Sequence, residues 1–258
     1  MRKIAVAMAK GGVGKTTTAV SLAHGLARQG RNVLLVDGDT QGQAARFLGV
    51  KPPYGLYEFL TGNDEQHRPV AKKETLYPCR NHMWLLSGGI KLVELKNWLG
   101  EQPRDTRHSV LAGSLVPKGD ALDYLIVDCA PGWDVLSVNI LMAVEEVICP
   151  VALQGPALEG LKTFFGYLMS AQRLNHHLQL KYIVPTMFDQ RTRHSFEILQ
   201  QLTRLFRKQI CDPIRYNVRL SEAPVRGKTI FEYRPSAGSA TDYLKLIRRV
   251  SEDGQKQG

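Results

Sequence analysis

Residues 10–18 read KGGVGKTTT, Lys10-Gly11-Gly12-Val13-Gly14-Lys15-Thr16-Thr17-Thr18, and this stretch decides the fold. An apolar run, Ile4-Ala5-Val6-Ala7-Met8, precedes it, and a helix-like stretch over 16–28 follows. Three glycines let the backbone fold tightly around a polyphosphate, with successive N–H groups pointing inward at its oxygens. The following helix adds the positive end of its dipole. Lys15 is placed to reach β- and γ-phosphates, and the Thr16 hydroxyl to hold Mg²⁺. Gly11, Gly12, Val13, Gly14 and Thr17 complete the cradle. Strand before and helix after make this a phosphate-binding loop. Ala9 stands where such loops usually begin with glycine, and a second lysine, Lys10, stands inside the loop.

Outward from the loop, short apolar runs alternate with amphipathic stretches. Strands are predicted at 3–8, 32–37, 83–86, 124–128, 146–151 and 181–185, and helices at 16–28, 43–48, 90–99, 135–143, 157–174 and 195–206. Several strands are continuous Val/Ile/Leu runs, as expected when both sheet faces are covered. Repeated βα units imply an α/β fold, a single-domain doubly wound, mostly parallel sheet flanked by helices. Its ligands lie beyond the carboxyl ends of the strands, where the loop sits. The stretch 61–80 is polar and mixed and reads as a surface excursion. One domain is expected over 1–250, with a flexible tail over 251–258.

Two more strand ends carry carboxylates. The second strand runs LLVDGDTQG and ends in Asp37 and Asp39; the fourth runs LDYLIVDCAPG and ends in Asp128. Carboxylates beside a phosphate-binding loop can orient metal-bound water or the attacking water. The turn Ala130-Pro131-Gly132 is placed to respond to a γ-phosphate. Each aspartate alone serves equally as a helix cap; three at strand ends in one such chain read as catalytic.

The chain has 258 residues, 43% of them hydrophobic, which suffices for one large core. No run approaches the roughly 18 apolar residues of a membrane span, and no leader pattern opens the sequence. Cys79, Cys129, Cys149 and Cys211 are scattered, which suits a reducing cytoplasm and argues against a metal or iron–sulfur site. The pair His176-His177 reads as a solvated loop. The net charge of +10 is uneven: from Lys181 onward there are 15 Lys+Arg against 8 Asp+Glu. A basic C-terminal third suits either a polyanionic partner or a solvated face.

Taken together, KGGVGKTTT, VDGDTQG and IVDCAPG resemble the deviant-Walker ATPases of the ParA/MinD superfamily. CPVALQGPALEGL at 149–161, PTMFDQRTRHS at 185–195 and NVRLSEAPVRGKTIFEY at 217–233 resemble its ParA/Soj partition branch. Departures are Thr40, where partition proteins usually have proline, and Cys129-Ala130-Pro131, where a double proline is common. The resemblance implies an ATPase using ATP and Mg²⁺ with weak intrinsic activity. It implies that Lys10 reaches the partner's nucleotide in an ATP-bound homodimer, Asp39 positions the lytic water, Asp37 supports the Mg²⁺ shell, and Asp128 contacts Mg²⁺ through water. It also implies non-specific binding to duplex DNA through Arg191 and Arg219, with Arg193, Arg215, Arg226, Lys228, Arg248 and Arg249 extending the patch. A ParB-like protein or cargo adaptor would stimulate hydrolysis, and the protein would be nucleoid-associated.

Related GTPases read guanine with an N/T-K-x-D motif; the matching place here is Thr186-Met187-Phe188-Asp189, which lacks the lysine, so adenine is expected. The closing KLIRRVSEDGQKQG lacks the bulky apolar face of a MinD-like membrane helix, and Leu244, Ile247 and Val250 are expected to pack on the domain. With nine residues before the loop, the DNA-reading domain of larger plasmid partition ATPases is not expected. Two alternatives share parts of this pattern: a ParA-like ATPase that positions a protein cargo, and an ATP-dependent ligase of the dethiobiotin or cobyrinate type.

Overall fold

The computed structural model describes residues 1–115, 122–155 and 157–255. In chain order the elements are β1 (Arg2–Val6), α1 (Lys15–Ala27), β2 (Val33–Gly38), α2 (Gln43–Leu48), α3 (Leu56–Thr61), α4 (Lys72–Thr75), β3 (Tyr77–Arg80), β4 (Met83–Leu86), α5 (Leu92–Glu101) and α6 (Val110–Ser114). They continue with β5 (Tyr124–Cys129), α7 (Val135–Ala143), β6 (Glu146–Ala152), α8 (Ala157–Gln172), β7 (Gln179–Thr186), α9 (Arg193–Leu205), α10 (Arg219–Val225), α11 (Ile230–Tyr233) and α12 (Gly238–Gln255).

The seven strands form one sheet in the order β3-β4-β2-β5-β1-β6-β7. All neighbours are parallel except β3, which runs antiparallel to β4 at the edge. Alternation along each strand divides the core between two faces. Ala5, Leu34, Val36, Leu125 and Val127 face one side, packed under α5, α7 and α8. Ile4, Val6, Val33, Leu35 and Ile126 face the other, under α1 and α12. Burial on both faces is why these strands read as unbroken apolar runs.

The stretch 61–80 departs from its expected part as a surface excursion. It ends in β3, whose Cys79 is buried and whose pairing with β4 completes the sheet. Short, with Pro78 inside it, this edge strand carries no period-two signal. The tail also differs. α12 continues to Gln255, past the expected end at 250, and Asp253 accepts a hydrogen bond from the Tyr182 hydroxyl (2.9 Å). Residues 256–258 lie outside those described. Ile247 and Val250 are fully buried, as the spacing predicts, whereas Leu244 is exposed. α12 lies so close to α1 that a Cβ at Gly25 would stand 2.0 Å from Ile247 Cδ1.

Candidate nucleotide and DNA site

β1 ends in the core, and the chain then turns over the carboxyl edge of the sheet. Gly12 and Gly14 take positive φ values of 72° and 88°, which a side chain would strain. Gly14 caps α1 without a side-chain acceptor, and no acidic residue occupies the first turn. The helix's first N–H groups are therefore left for an anion. From β7, the Thr186 hydroxyl donates to Val13 O (2.9 Å) and pins the loop. Lys15 is buried, and its ammonium donates to Lys10 O (2.9 Å). Burial lowers its pKa, with Asp128 the strongest opposing charge. Thr16 and Thr17 are half-buried in the first turn.

Lys10 takes a path that depends on a residue far along the chain. Its stem runs over the first turn of α8, where a Cβ at Gly160 would stand 3.4 Å from Lys10 Cβ, and its ammonium lies near Gly155.

Register places Asp37 directly beside Asp128 across β2 and β5. Both are buried. Asp37 accepts from Asp39 N (2.9 Å) and Ala44 N (3.0 Å), so it shapes the turn that carries Asp39 and seats the start of α2. Burial pushes its carboxyl up to about 6, those two N–H groups opposing and Asp39 adding to the shift. Both carboxylate oxygens of Asp128 are buried without a hydrogen-bond partner. Burial, then repulsion from Asp37, holds its pKa well above the usual carboxylate range, against the pull of Thr16 and Lys15. A buried, unpartnered carboxylate beside the Thr16 hydroxyl fits a hydrated cation that takes most of its ligands from phosphate and water, as Mg²⁺ does. Among the described residues no group of three or more His, Cys, Asp and Glu could hold a metal by itself.

Asp39 is half-buried; its carboxylate accepts from Gln41 N (2.9 Å) and its carbonyl from Gly42 N and Gly89 N (3.0 Å each). Gly88 packs on the same turn: a Cβ there would stand 2.6 Å from Asp37 O and 2.7 Å from Asp39 O. Sequence reasoning missed Gly88 and Gly89, although Ser87-Gly88-Gly89 directly after the apolar β4 carried the signal of a close backbone approach.

Beside Gly14 and Thr17 opens a cavity of about 410 Å³. α2 lines it with Gln43, Arg46 and Phe47, and α10 with Leu220, Ser221, Pro224 and Val225. Met187, held at φ 55°, and Asn217 lie along it as well. Its lining is mainly apolar and its place is next to the phosphate loop, so it suits a nucleoside. Asp189, which a guanine motif would aim at the base, instead accepts two hydrogen bonds from the Arg191 guanidinium (2.9 and 2.8 Å).

The AAA domain family matches residues 1–180. The sporulation initiation inhibitor protein Soj of Bacillus subtilis is 34% identical over 256 residues, covering 97% of this chain and 98% of that protein. The chromosome-partitioning ATPase Soj of Thermus thermophilus is 36% identical, covering 97% and 95%. The chain belongs to the ParA/Soj family of partition ATPases. Among solved structures, a cobyrinic acid a,c-diamide synthase of Mycobacterium smegmatis with bound ADP and magnesium superposes with a TM-score of 0.83 at 28% identity, covering 100% of this chain and 97% of that one. Apo McdA of Cyanothece gives 0.81 at 22% identity, covering 98% of each, which bears on the fold alone.

The basic C-terminal third of this ParA/Soj ATPase is more selectively arranged than its composition suggests. Arg191 and Arg219 are both exposed, in segments joined where Tyr216 N donates to Phe188 O (2.9 Å). Arg191 pairs with Asp189 (2.8 Å) and Arg219 with Glu222 (2.6 Å). Such exposed pairs are weak and open readily to a competing phosphate. Arg226, Lys228 and Arg248 are exposed, and Arg193 is exposed beside Glu197. Two expected members of the patch have other work. Arg215 binds Asp242 through both sides of its fork (2.8 Å each) and reaches Gly238 O, anchoring the start of α12. Arg249 donates to Ile210 O and to Lys208 O (2.6 Å) while lying over Tyr182. Spacing cannot separate arginines that cap backbone from arginines that face solvent. No helix among the described residues is long and apolar enough to cross a membrane.

Proposed function

We propose that this partition ATPase binds ATP with Mg²⁺ in the P-loop and the adjoining cavity, dimerises face to face, and in that state holds duplex DNA without sequence preference. The observation that carries the nucleotide reading is the buried, unpartnered Asp128 carboxylate beside Lys15 and Thr16. Thr16 and Asp128 would hold the cation, which supplies charge neutralisation on the β- and γ-phosphates when bound. Lys15 and the N–H groups of 11–17 bind and orient the phosphates. Asp39, on the turn held by Asp37, Gly88 and Gly89, orients the water that attacks the γ-phosphorus as ADP departs. Lys10 acts in trans: its positive charge at the partner's phosphates stabilises charge developing on the transferred group. A monomer would then lack one catalytic cation, so turnover follows dimerisation and a stimulating partner, ParB-like or a cargo adaptor.

Arg191 and Arg219 supply phosphate contacts on the DNA face, which give affinity without base readout. Loss of the γ-phosphate separates the protomers and releases the DNA, which suits association with the nucleoid. Relatives at 35–36% identity over nearly the whole chain are named chromosome-partitioning proteins, which favours this reading over the synthase named for the 28% identical structure.

The test is retention on random-sequence duplex DNA with ATP, ADP or no nucleotide, at low and high salt. Retention with ATP alone, lost as salt rises, is expected. Retention in no state, together with ATP-dependent amidation of a cobyrinate-type carboxylate, would overturn the DNA reading in favour of the ligase.

A further inference from the structure

The cavity beside the P-loop is lined by two helices that begin at different parts of the site: α2, which follows the turn carrying Asp39, and α10, which begins at Arg219. The two helices meet at their far ends. Gly49, which caps α2, and Gly227, two residues beyond α10, touch backbone to backbone; a Cβ on Gly227 would stand 2.6 Å from Gly49 Cα. Both hold positive φ, 66° and 61°. Arg80 clamps the junction, its Nη2 donating to Leu48 O (3.1 Å) and Gly227 O (3.3 Å) while Glu232 accepts from Nε (2.6 Å) and Nη2 (3.2 Å).

Away from this junction the ends are unequal. The start of α2 is tied to the sheet by Ala44 N on the Asp37 carboxylate. The start of α10 has local ties: Arg219 N donates to Asn217 Oδ1 (2.9 Å) and its guanidinium to Glu222. Glu222 also accepts from the Tyr233 hydroxyl (2.9 Å) on α11. Arg46 and Phe47 of α2 and Leu220, Ser221, Pro224 and Val225 of α10 line the cavity together, while on the core side Phe47 and Leu220 pack on one cluster and Ala223 is buried.

We propose that the base and ribose act as a wedge between α2 and α10, so that filling the cavity fixes the angle of α10 about the Gly49–Gly227 junction and sets Arg219 for DNA. This rests on the nucleotide and DNA readings above and adds a positioning role for Gly49, Gly227 and Arg80. A ligand shifts such an element only through contacts that differ between its arrangements, and the nucleoside makes them here with both helices at once. The triphosphate controls dimerisation; the nucleoside prepares the DNA face of each protomer.

Hydrogen exchange separates the two effects. The protein carrying Lys10→Ala, which removes the trans contact, is compared without ligand, with saturating ADP and with saturating tripolyphosphate. ADP is expected to slow exchange over 219–227 and 43–50 by about tenfold or more. Tripolyphosphate is expected to slow only the loop amides at 11–17. Equal protection of 219–227 by tripolyphosphate, or none by ADP, would overturn the wedge. In the full-length protein, Gly227→Ala disturbs the junction away from the phosphates. It is expected to keep ADP affinity within about threefold while weakening ATP-dependent DNA retention about tenfold or more. Parental DNA retention by a Gly227→Ala protein that binds ADP would overturn the hinge; if that variant fails to fold, the exchange comparison still decides. If the parent protein shows the ADP-specific protection yet never binds DNA, the DNA reading fails, and with it the setting of Arg219 for DNA, while the wedging of α10 by the nucleoside stands.

Discussion

At the residue scale, the chemistry is concentrated in two buried groups that form no ion pair, Lys15, which donates to Lys10 O, and Asp128, whose oxygens have no hydrogen-bond partner. Lys15→Ala removes the cation at the phosphates and should weaken ATP binding more than about a hundredfold, measured by calorimetry. Asp39→Ala leaves the phosphate cradle intact, so it should retain ATP and accumulate as dimer by light scattering while turnover falls at least about tenfold. The raised carboxyls also give a pH signature. A carboxyl raised on folding favours the folded state fully below its unfolded pKa and loses that contribution as pH rises through the folded value. For Asp37 the window runs from 3.8 to about 6. The nucleotide-free protein should therefore lose stability from this source, of order 1–3 kcal/mol, as pH climbs through that window. Asp128→Asn removes the other raised carboxyl and should flatten the slope and raise the melting temperature at pH 7.5; an unchanged slope would show that Asp128 adds nothing to it. The three aspartates were legible as strand-end carboxylates. The family resemblance implied a role for each, but which of them accepts backbone N–H groups was not legible, because that depends on how the turns after β2 and β5 pack.

At the element scale, α1 and α12 bear the load of the site. α1 presents the phosphate loop, and α12 buttresses it through Ile247 against Gly25 and through Tyr243, whose hydroxyl lies 3.2 Å from that of Thr18. Ile247→Ala should leave a cavity in this contact and cost about 2–5 kcal/mol, read from denaturant unfolding. The spacing of Leu244, Ile247 and Val250 predicted a packed helix, and Ile247 and Val250 obey it. Leu244 does not, since α12 turns that position to solvent. Long βα units were readable because their periodicity is strong over many residues. α3, α4, α10 and α11 span seven residues or fewer and are set by turns and contacts rather than by an amphipathic stripe.

At the scale of the whole molecule, the proposed link from nucleotide state to DNA depends on charge and topology together. Arg219→Glu should preserve ATP-dependent dimerisation and lose DNA retention, and a milder Arg219→Ala should lower the salt slope by about one per lost phosphate contact. An Arg219→Glu protein that held DNA like its parent would place the DNA face elsewhere. From its amino acids alone the chain determined a parallel α/β sheet and a phosphate loop at its carboxyl edge, because local periodicity and glycine spacing encode both. It also determined three acidic strand ends and an excess of basic charge toward the C-terminus. Only the tertiary structure decided which arginines face solvent and which bind backbone, that β3 closes the sheet edge, that Gly88 and Gly160 shape the paths of Asp39 and Lys10, and that α2 and α10 wall one cavity. Those features join residues far apart in the chain, where close backbone approach and burial, rather than any local pattern, set the outcome.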